Sequence, residues 1–280
     1  MGTPRVLPPK VEDAVRILGP KYRDLLARAE AVLTKDERVR AMWLSGALAR
    51  GLADKASDID LVLAIADNAL EDFSGSWRTW LAEITPTVLA RPLGSTGSFH
   101  AITESWERFD VVVEGVGSVA TSPVRDRIPV FDKGGLSKLL IPIADPVPGP
   151  SSGQIEFLIT EAFRIYGLLA VVVDREDWLL GLEGIHNLRI LLYQLFVESN
   201  APTPRYGLKQ WSAKLTKAQR TVLESMPTGK PNKNAVVEGH LQLISTFNEH
   251  ARDIAAALGI EWPDRLESAT CKYLHDRLGI

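Results

Sequence analysis

Cysteine is nearly absent. Cys271 is the only one in 280 residues, so no disulfide can form within the chain. It falls in a segment of helical pattern with only Lys272 as a basic neighbour, so nothing in sequence marks an activated thiol. Long apolar runs are missing too. Stretches such as residues 168–173 fall far short of the roughly 20 residues that cross a bilayer as a helix. Residues 1–10 are proline-rich and lack the apolar centre of a signal peptide. Gly2 is not followed by Ser or Thr at position 6, so the myristoylation pattern fails. A large excess of one charge is also lacking. The net charge is −3 and neither half is strongly basic, which argues against a dedicated nucleic-acid binder. No Walker loop and no Cys/His metal spacing occurs. A reduced, cytoplasmic protein with no membrane partner is expected.

What is present is an ordinary globular composition, 45% hydrophobic and 24% charged, in a chain long enough for one large or two modest domains. Residues 11–34 carry apolar positions at helical spacing, divided by Gly19-Pro20 into two helices. A short apolar strand at 41–44 follows, then a strand over 58–65 and a helix near 69–84. Residues 87–91, 99–103, 109–114 and 127–131 read as strands rich in β-branched residues. Residues 141–150 hold four prolines and a glycine and read as a linker. Beyond it the texture changes to helices at 155–173, 185–197, 217–225, 236–258 and 263–278, with no convincing alternating strand. The expected fold class is α+β: a domain over 11–145 with a short mixed β-sheet, then a helical bundle over 151–280. No internal repeat or low-complexity tract is visible.

The chemistry concentrates between positions 45 and 60. Ser45-Gly46-Ala47-Leu48-Ala49-Arg50-Gly51 follows the first strand, and Ser57-Asp58-Ile59-Asp60-Leu61-Val62 opens the next. Gly46 allows a tight turn with close backbone approach, and residues 47–53 are helix-prone. Amide groups at the start of such a helix point at an anion. Residues two apart on a strand share a face, so Asp58 and Asp60 are expected to point the same way. Two carboxylates beside a phosphate-sized turn suit Mg²⁺, which prefers oxygen ligands and bridges carboxylates to substrate phosphates. Either half alone is commonplace, since most Asp-x-Asp pairs are solvated strand ends and most glycine turns are only turns. Their order and spacing carry the signal.

These residues resemble a family. The glycine-bounded turn with Ala49-Arg50-Gly51, followed by Ser57-Asp58-Ile59-Asp60-Leu61, looks like the signature of the polymerase-beta-like nucleotidyltransferase superfamily. It is most like that of the bacterial antibiotic nucleotidyltransferases that modify lincosamides and aminoglycosides, the streptomycin-type adenylyltransferases among them. The resemblance implies an N-terminal nucleotidyltransferase domain closed by the helical domain, with ATP as co-substrate and Mg²⁺ as metal. Ser45, Gly46, Ala47, Arg50 and Ser57 would lie along the nucleotide, with Arg50 also pairing with carboxylates. One position departs: the family serine after the glycine is Ala47 here, while Ser45 stands one residue before the glycine.

The superfamily supplies a third acid from a later strand, and the best match is Asp110, which opens the apolar run 111–113. A charged residue there is awkward without a partner such as a metal. Its role, metal ligand or general base or both, stays open, and Glu104 and His100 are alternatives for the base. If 99–103 and 109–114 form a hairpin turning near Trp106, position 102 faces 110 and 100 faces 112. Period two then puts His100, Ile102 and Glu104 on the side of Asp110. Glu114 shares that side but lies about 13 Å farther along the strand, too far for the same ion. A lone strand histidine is more often structural, so His100 is the lesser candidate.

Other signals rank lower. Gly115-Val116-Gly117-Ser118-Val119-Ala120 has the spacing of a dinucleotide turn, but Thr121-Ser122-Pro123 interrupts the required helix. His186, His240, His250 and His275 are scattered on predicted helices. In the second half, Arg205-Tyr206-Gly207-Leu208-Lys209-Gln210-Trp211 resembles a stretch of the antibiotic-modifying enzymes in which a lysine reaches the nucleotide phosphates. Lys209 and Arg205 would serve there. The expected activity is transfer of AMP from ATP to a hydroxyl of a small molecule, an antibiotic being one acceptor class, with release of pyrophosphate. A tRNA- or protein-modifying relative and a nucleotide-binding protein without turnover are the alternatives.

Overall fold

The computed structural model describes residues 7–93, 98–124, 126–140, 149–201 and 211–280. It is α+β, and it divides into two compact units, Met1–Ala144 and Asp145–Ile280.

The first unit begins with α1 (Pro9–Val15) and α2 (Pro20–Leu33), separated by Gly19 at φ +91° with Pro20 opening the second helix. Next come β1 (Val39–Leu44), the short α3 (Gly46–Ala49) and β2 (Ile59–Ile65). The predicted helix over 69–84 is two, α4 (Leu70–Gly75) and α5 (Trp77–Ile84), broken at the poor helix formers Gly75 and Ser76. Then follow β3 (Leu89–Pro92), β4 (Phe99–Ile102), β5 (Arg108–Gly115) and β6 (Ile128–Asp132). The segment with dinucleotide-turn spacing is a 3-10 helix, Val116–Thr121.

The six strands form one mixed sheet in the order β3-β4-β5-β2-β1-β6. β2 and β5 run parallel, and every other pair is antiparallel. Period two sorts the side chains. Met42, Leu44, Leu61, Leu63, Ile65, Phe109, Val111 and Val113 face one way and pack against Val11, Leu26, Leu33, Phe73 and Trp80 from the helices. Ala41, Trp43, Val62 and Ala64 face the other way, over a smaller cluster with Val119 and Leu136. Asp60 and Asp110 belong to this second face by the same alternation. Both edge strands contain a proline, Pro92 in β3 and Pro129 in β6.

The β4–β5 pairing differs from the sequence expectation by two residues. Ile102 opposes Arg108 and His100 opposes Asp110. The turn is tighter than assumed because Trp106 adopts φ +67°, which lets the Thr103 amide reach the Glu107 carbonyl at 3.0 Å. An even shift leaves the faces unchanged, so His100 and Asp110 still share one.

The second unit is helical among its described residues: α6 (Ser152–Gly167), α7 (Leu169–Asp174), α8 (Trp178–Ser199), α9 (Lys217–Ser225), α10 (Lys233–Leu258) and α11 (Asp264–Leu278). The single helix expected over 155–173 breaks after Gly167. Ser151, Asp177, Thr216 and Asn232 cap their helices by accepting amide bonds, and Gly259 ends α10 in the left-handed region. Leu158, Phe163, Leu188, Leu195, Leu243 and Phe247 form the core. No described helix is long and apolar enough to cross a membrane.

Candidate active site

The turn after β1 is built around a contact between Gly46 and Asp60. Gly46 sits at φ +61°, and a Cβ placed there would lie 1.7 Å from Oδ2 of Asp60. The carboxylate thus occupies the space that any other side chain would take. The Ser45 amide donates to the Asp60 carbonyl at 2.9 Å, which locks the turn to the start of β2. Ser45 is buried, and its hydroxyl does not cap the helix. The helix predicted over 47–53 ends at Ala49, because Gly51 adopts φ +67°. Arg50 therefore closes the helix instead of lying mid-helix, and its Nη1 is 4.0 Å from Oδ2 of Asp126.

Asp54 organises the loop that follows. Its Oδ1 accepts from the Ala56 amide at 2.9 Å and from the Ser57 hydroxyl at 3.0 Å. The Ser57 hydroxyl also accepts from the Asp54 amide at 3.0 Å, so Ser57 is engaged within the loop. Asp58 stands just before β2, one residue short of the strand in which it was expected.

Across the sheet, one row of directly opposed residues carries charge. Asp60 pairs in register with Asp110, Asp110 with His100, and His100 with Arg91. Directly opposed residues share a face. His100 Nδ1 is hydrogen-bonded to Oδ1 of Asp110, and both side chains are partly buried. With Asp110 ionised, the ring donates from Nδ1. Next to this row, the Arg108 amide donates to the Tyr22 hydroxyl at 3.1 Å, and its guanidinium bonds the Ala56 carbonyl. The start of β5 is thereby tied to the loop before Asp58.

Farther along the same face, Glu114 accepts two bonds from Arg127, at 2.6 and 3.1 Å. Arg127 also donates to Ser122 Oγ at 2.6 Å and to the Val124 carbonyl at 2.7 Å, and it lies 4.8 Å from the Trp43 ring centroid. Its side chain is fully buried. This pair braces the sheet behind the acidic row.

The structure brings Asp60, Asp110 and Gly46 together. Glu104 instead occupies the exposed turn beyond β4. Four residues from His100 is about 13 Å at strand rise, so Glu104 does not stand beside Asp110. Lys209 and Arg205, and most of the proline-rich linker, lie outside the described residues. Among the described residues no three His, Cys, Asp or Glu side chains converge closely enough to hold a metal. The arrangement is a carboxylate pair rather than the expected trio. That pair still fits a hard divalent cation, which commonly takes one or two carboxylates and completes its shell with phosphate oxygens and water.

Three participants were not singled out by sequence. Asp54 and Arg108 look like surface charges until the loop geometry is known. The place of Arg91 in the acidic row follows only from the β3–β4 register.

No protein-family model and no curated protein matches the chain. Among solved structures it is similar to an aminoglycoside 6-adenyltransferase from Bacillus subtilis, at 14% identity over 90% of this chain and 95% of that one, with a TM-score of 0.41. It is also similar to CdnC from E. coli MS115-1 in complex with HORMA-deltaN, at 15% identity over 98% of this chain and 92% of that one, with a TM-score of 0.30. CdnC from the same source with ATP aligns at 15% identity over 98% of both chains, with a TM-score of 0.28. At such identities and scores these neighbours assign this chain neither a family nor a substrate.

Proposed function

We propose that this chain is a nucleotidyltransferase that moves AMP from ATP to a hydroxyl of a small molecule and releases pyrophosphate. The observation that carries the reading is the pairing of Asp60 with Asp110 on adjacent parallel strands, with the Asp60 carboxylate seated on the Gly46 turn. The nucleotide phosphates lie along that turn, where first-turn amides have no partner inside the helix. The acceptor oxygen forms a bond to the α-phosphorus as the bond to the β-phosphate oxygen breaks. Asp110 takes the hydroxyl proton, and His100 holds that carboxylate in place through Nδ1. Asp60 and Asp110 would hold Mg²⁺, which would neutralise charge on the phosphates when present.

A second reading, nucleotide binding without turnover, is favoured by Ala47 in place of a hydroxyl and by the burial of Ser45. Incubation with ATP labelled on the α-phosphate, Mg²⁺ and a panel of acceptors separates the two. The panel holds aminoglycosides, lincosamides, phosphorylated sugars and nucleotides, and tRNA. Label on a small molecule, lost in Asp60→Asn and Asp110→Asn variants that remain folded, supports transfer. Label on tRNA replaces the acceptor class. ATP binding with no labelled product defeats the transfer reading.

A further inference from the structure

Resting on the transferase reading, we infer that the acceptor is an anionic hydroxyl compound, phosphorylated or carboxylated, whose charge is read by Arg91. In-line displacement puts the entering and leaving oxygens on opposite sides of the α-phosphorus. The leaving pyrophosphate belongs to the Gly46 turn, at the Asp60 end of the row. The entering hydroxyl therefore arrives from the Asp110 end, over β4 and β3. On that side the row continues through His100 to Arg91. Neighbouring strands lie about 4.8 Å apart, which sets Arg91 about 10 Å from Asp110 on the same face. That separation is the length of a small acceptor whose hydroxyl is at Asp110 and whose far group is at Arg91.

Arg91 is exposed and makes no ion pair among the described residues. Its guanidinium presents a planar fork that matches a phosphate or carboxylate with two bonds. The other polar members of the row are engaged: His100 and Asp110 with each other, Asp60 against Gly46. Arg91 is the member of the row that remains to meet a ligand. A cation at this place also repels polycationic acceptors, so the row selects against aminoglycosides as well as for anions.

The experiment uses the full chain and matched acceptors: glucose 1-phosphate against glucose, GMP against guanosine, and kanamycin as the polycation. With α-labelled ATP and Mg²⁺, the anionic member of a pair is expected to be labelled at least 10-fold faster at subsaturating concentration. Arg91→Gln removes that preference by raising KM with little change in kcat, and Arg91→Lys keeps part of it. Preferential labelling of kanamycin or the neutral members by the wild type, or a preference unchanged in Arg91→Gln, overturns the proposal. A second arm needs no turnover. Inorganic phosphate is titrated into wild type and Arg91→Gln, each with the Gly46 turn first occupied by a non-hydrolysable ATP analogue, and its affinity is expected to fall at least 10-fold in Arg91→Gln. Phosphate binding insensitive to Arg91 also overturns the proposal. Absence of transfer together with Arg91-dependent phosphate binding defeats the transferase reading and leaves the anion site standing.

Discussion

At Gly46 one missing methyl decides whether a carboxylate can be where it is. Alanine there meets Asp60 Oδ2 at 1.7 Å and carries a left-handed backbone angle as well. The backbone term alone is about 1–3 kcal/mol. Gly46→Ala is expected to abolish transfer by displacing Asp60 and to lower the thermal midpoint, both measurable on the same purified sample. Arg127 makes a second residue-scale prediction. It is fully buried against Glu114, so Arg127→Met strands a carboxylate in the interior. The expected loss is about 3–5 kcal/mol by denaturant titration. The double variant Arg127→Met/Glu114→Leu should recover much of it, because the orphaned charge is gone.

At the scale of elements, α8 and α10 approach through glycines. A Cβ at Gly181 would meet Val236 Cγ1 at 2.5 Å, one at Gly184 would meet His240 Nε2 at 2.4 Å, and one at Gly239 would meet Ile185 Cδ1 at 2.7 Å. Gly184→Ala is expected to destabilise the chain by about 1–3 kcal/mol, read by chemical denaturation, despite alanine's better helix propensity. His240 is buried in that seam, its Nδ1 2.8 Å from the Val236 carbonyl. Burial holds its pKa below the ordinary value, against the weaker opposite pull of that carbonyl. The unfolded chain takes up a proton near pH 6.5 while the folded chain stays neutral to lower pH. Stability is therefore complete above about pH 6.5 and drains as pH falls below it. Thermal midpoints between pH 7.5 and 5 should show this slope, and His240→Leu should flatten it.

The elements were legible where the chain states its periodicity plainly. The break at Gly19-Pro20, the strands β2 and β5, and the helices α9, α10 and α11 appear near their expected bounds, whereas α8 begins at Trp178, well before the expected 185. Legibility failed where one dihedral decides. Trp106 adopting φ +67° moved the β4–β5 register by two, and Gly51 at φ +67° cut α3 short. At the candidate site, the placement of Asp60, Asp110 and Gly46 in the fold was readable because strand parity and a glycine turn constrain them locally. His100 beside Asp110, Asp54 within its loop and Arg91 on the row depend on which strands meet. Sequence spacing does not carry that information.

The whole molecule is two units with separate cores, one around the sheet and one among helices. A large-to-small change in the helical core, Phe247→Ala, is expected to cost about 3–5 kcal/mol. Native-state hydrogen exchange should find the lost protection first in residues 152–278 and least in β1, β2 and β5.

The sheet's two outer strands each bear a proline, and the outermost, β3, is only Leu89–Pro92. A residue without an amide hydrogen cannot extend a ladder to another molecule. Edge-to-edge pairing with another copy is therefore disfavoured at both ends of the sheet. Pro92→Val, which restores an amide hydrogen on β3, is expected to raise light scattering on storage relative to the parent chain.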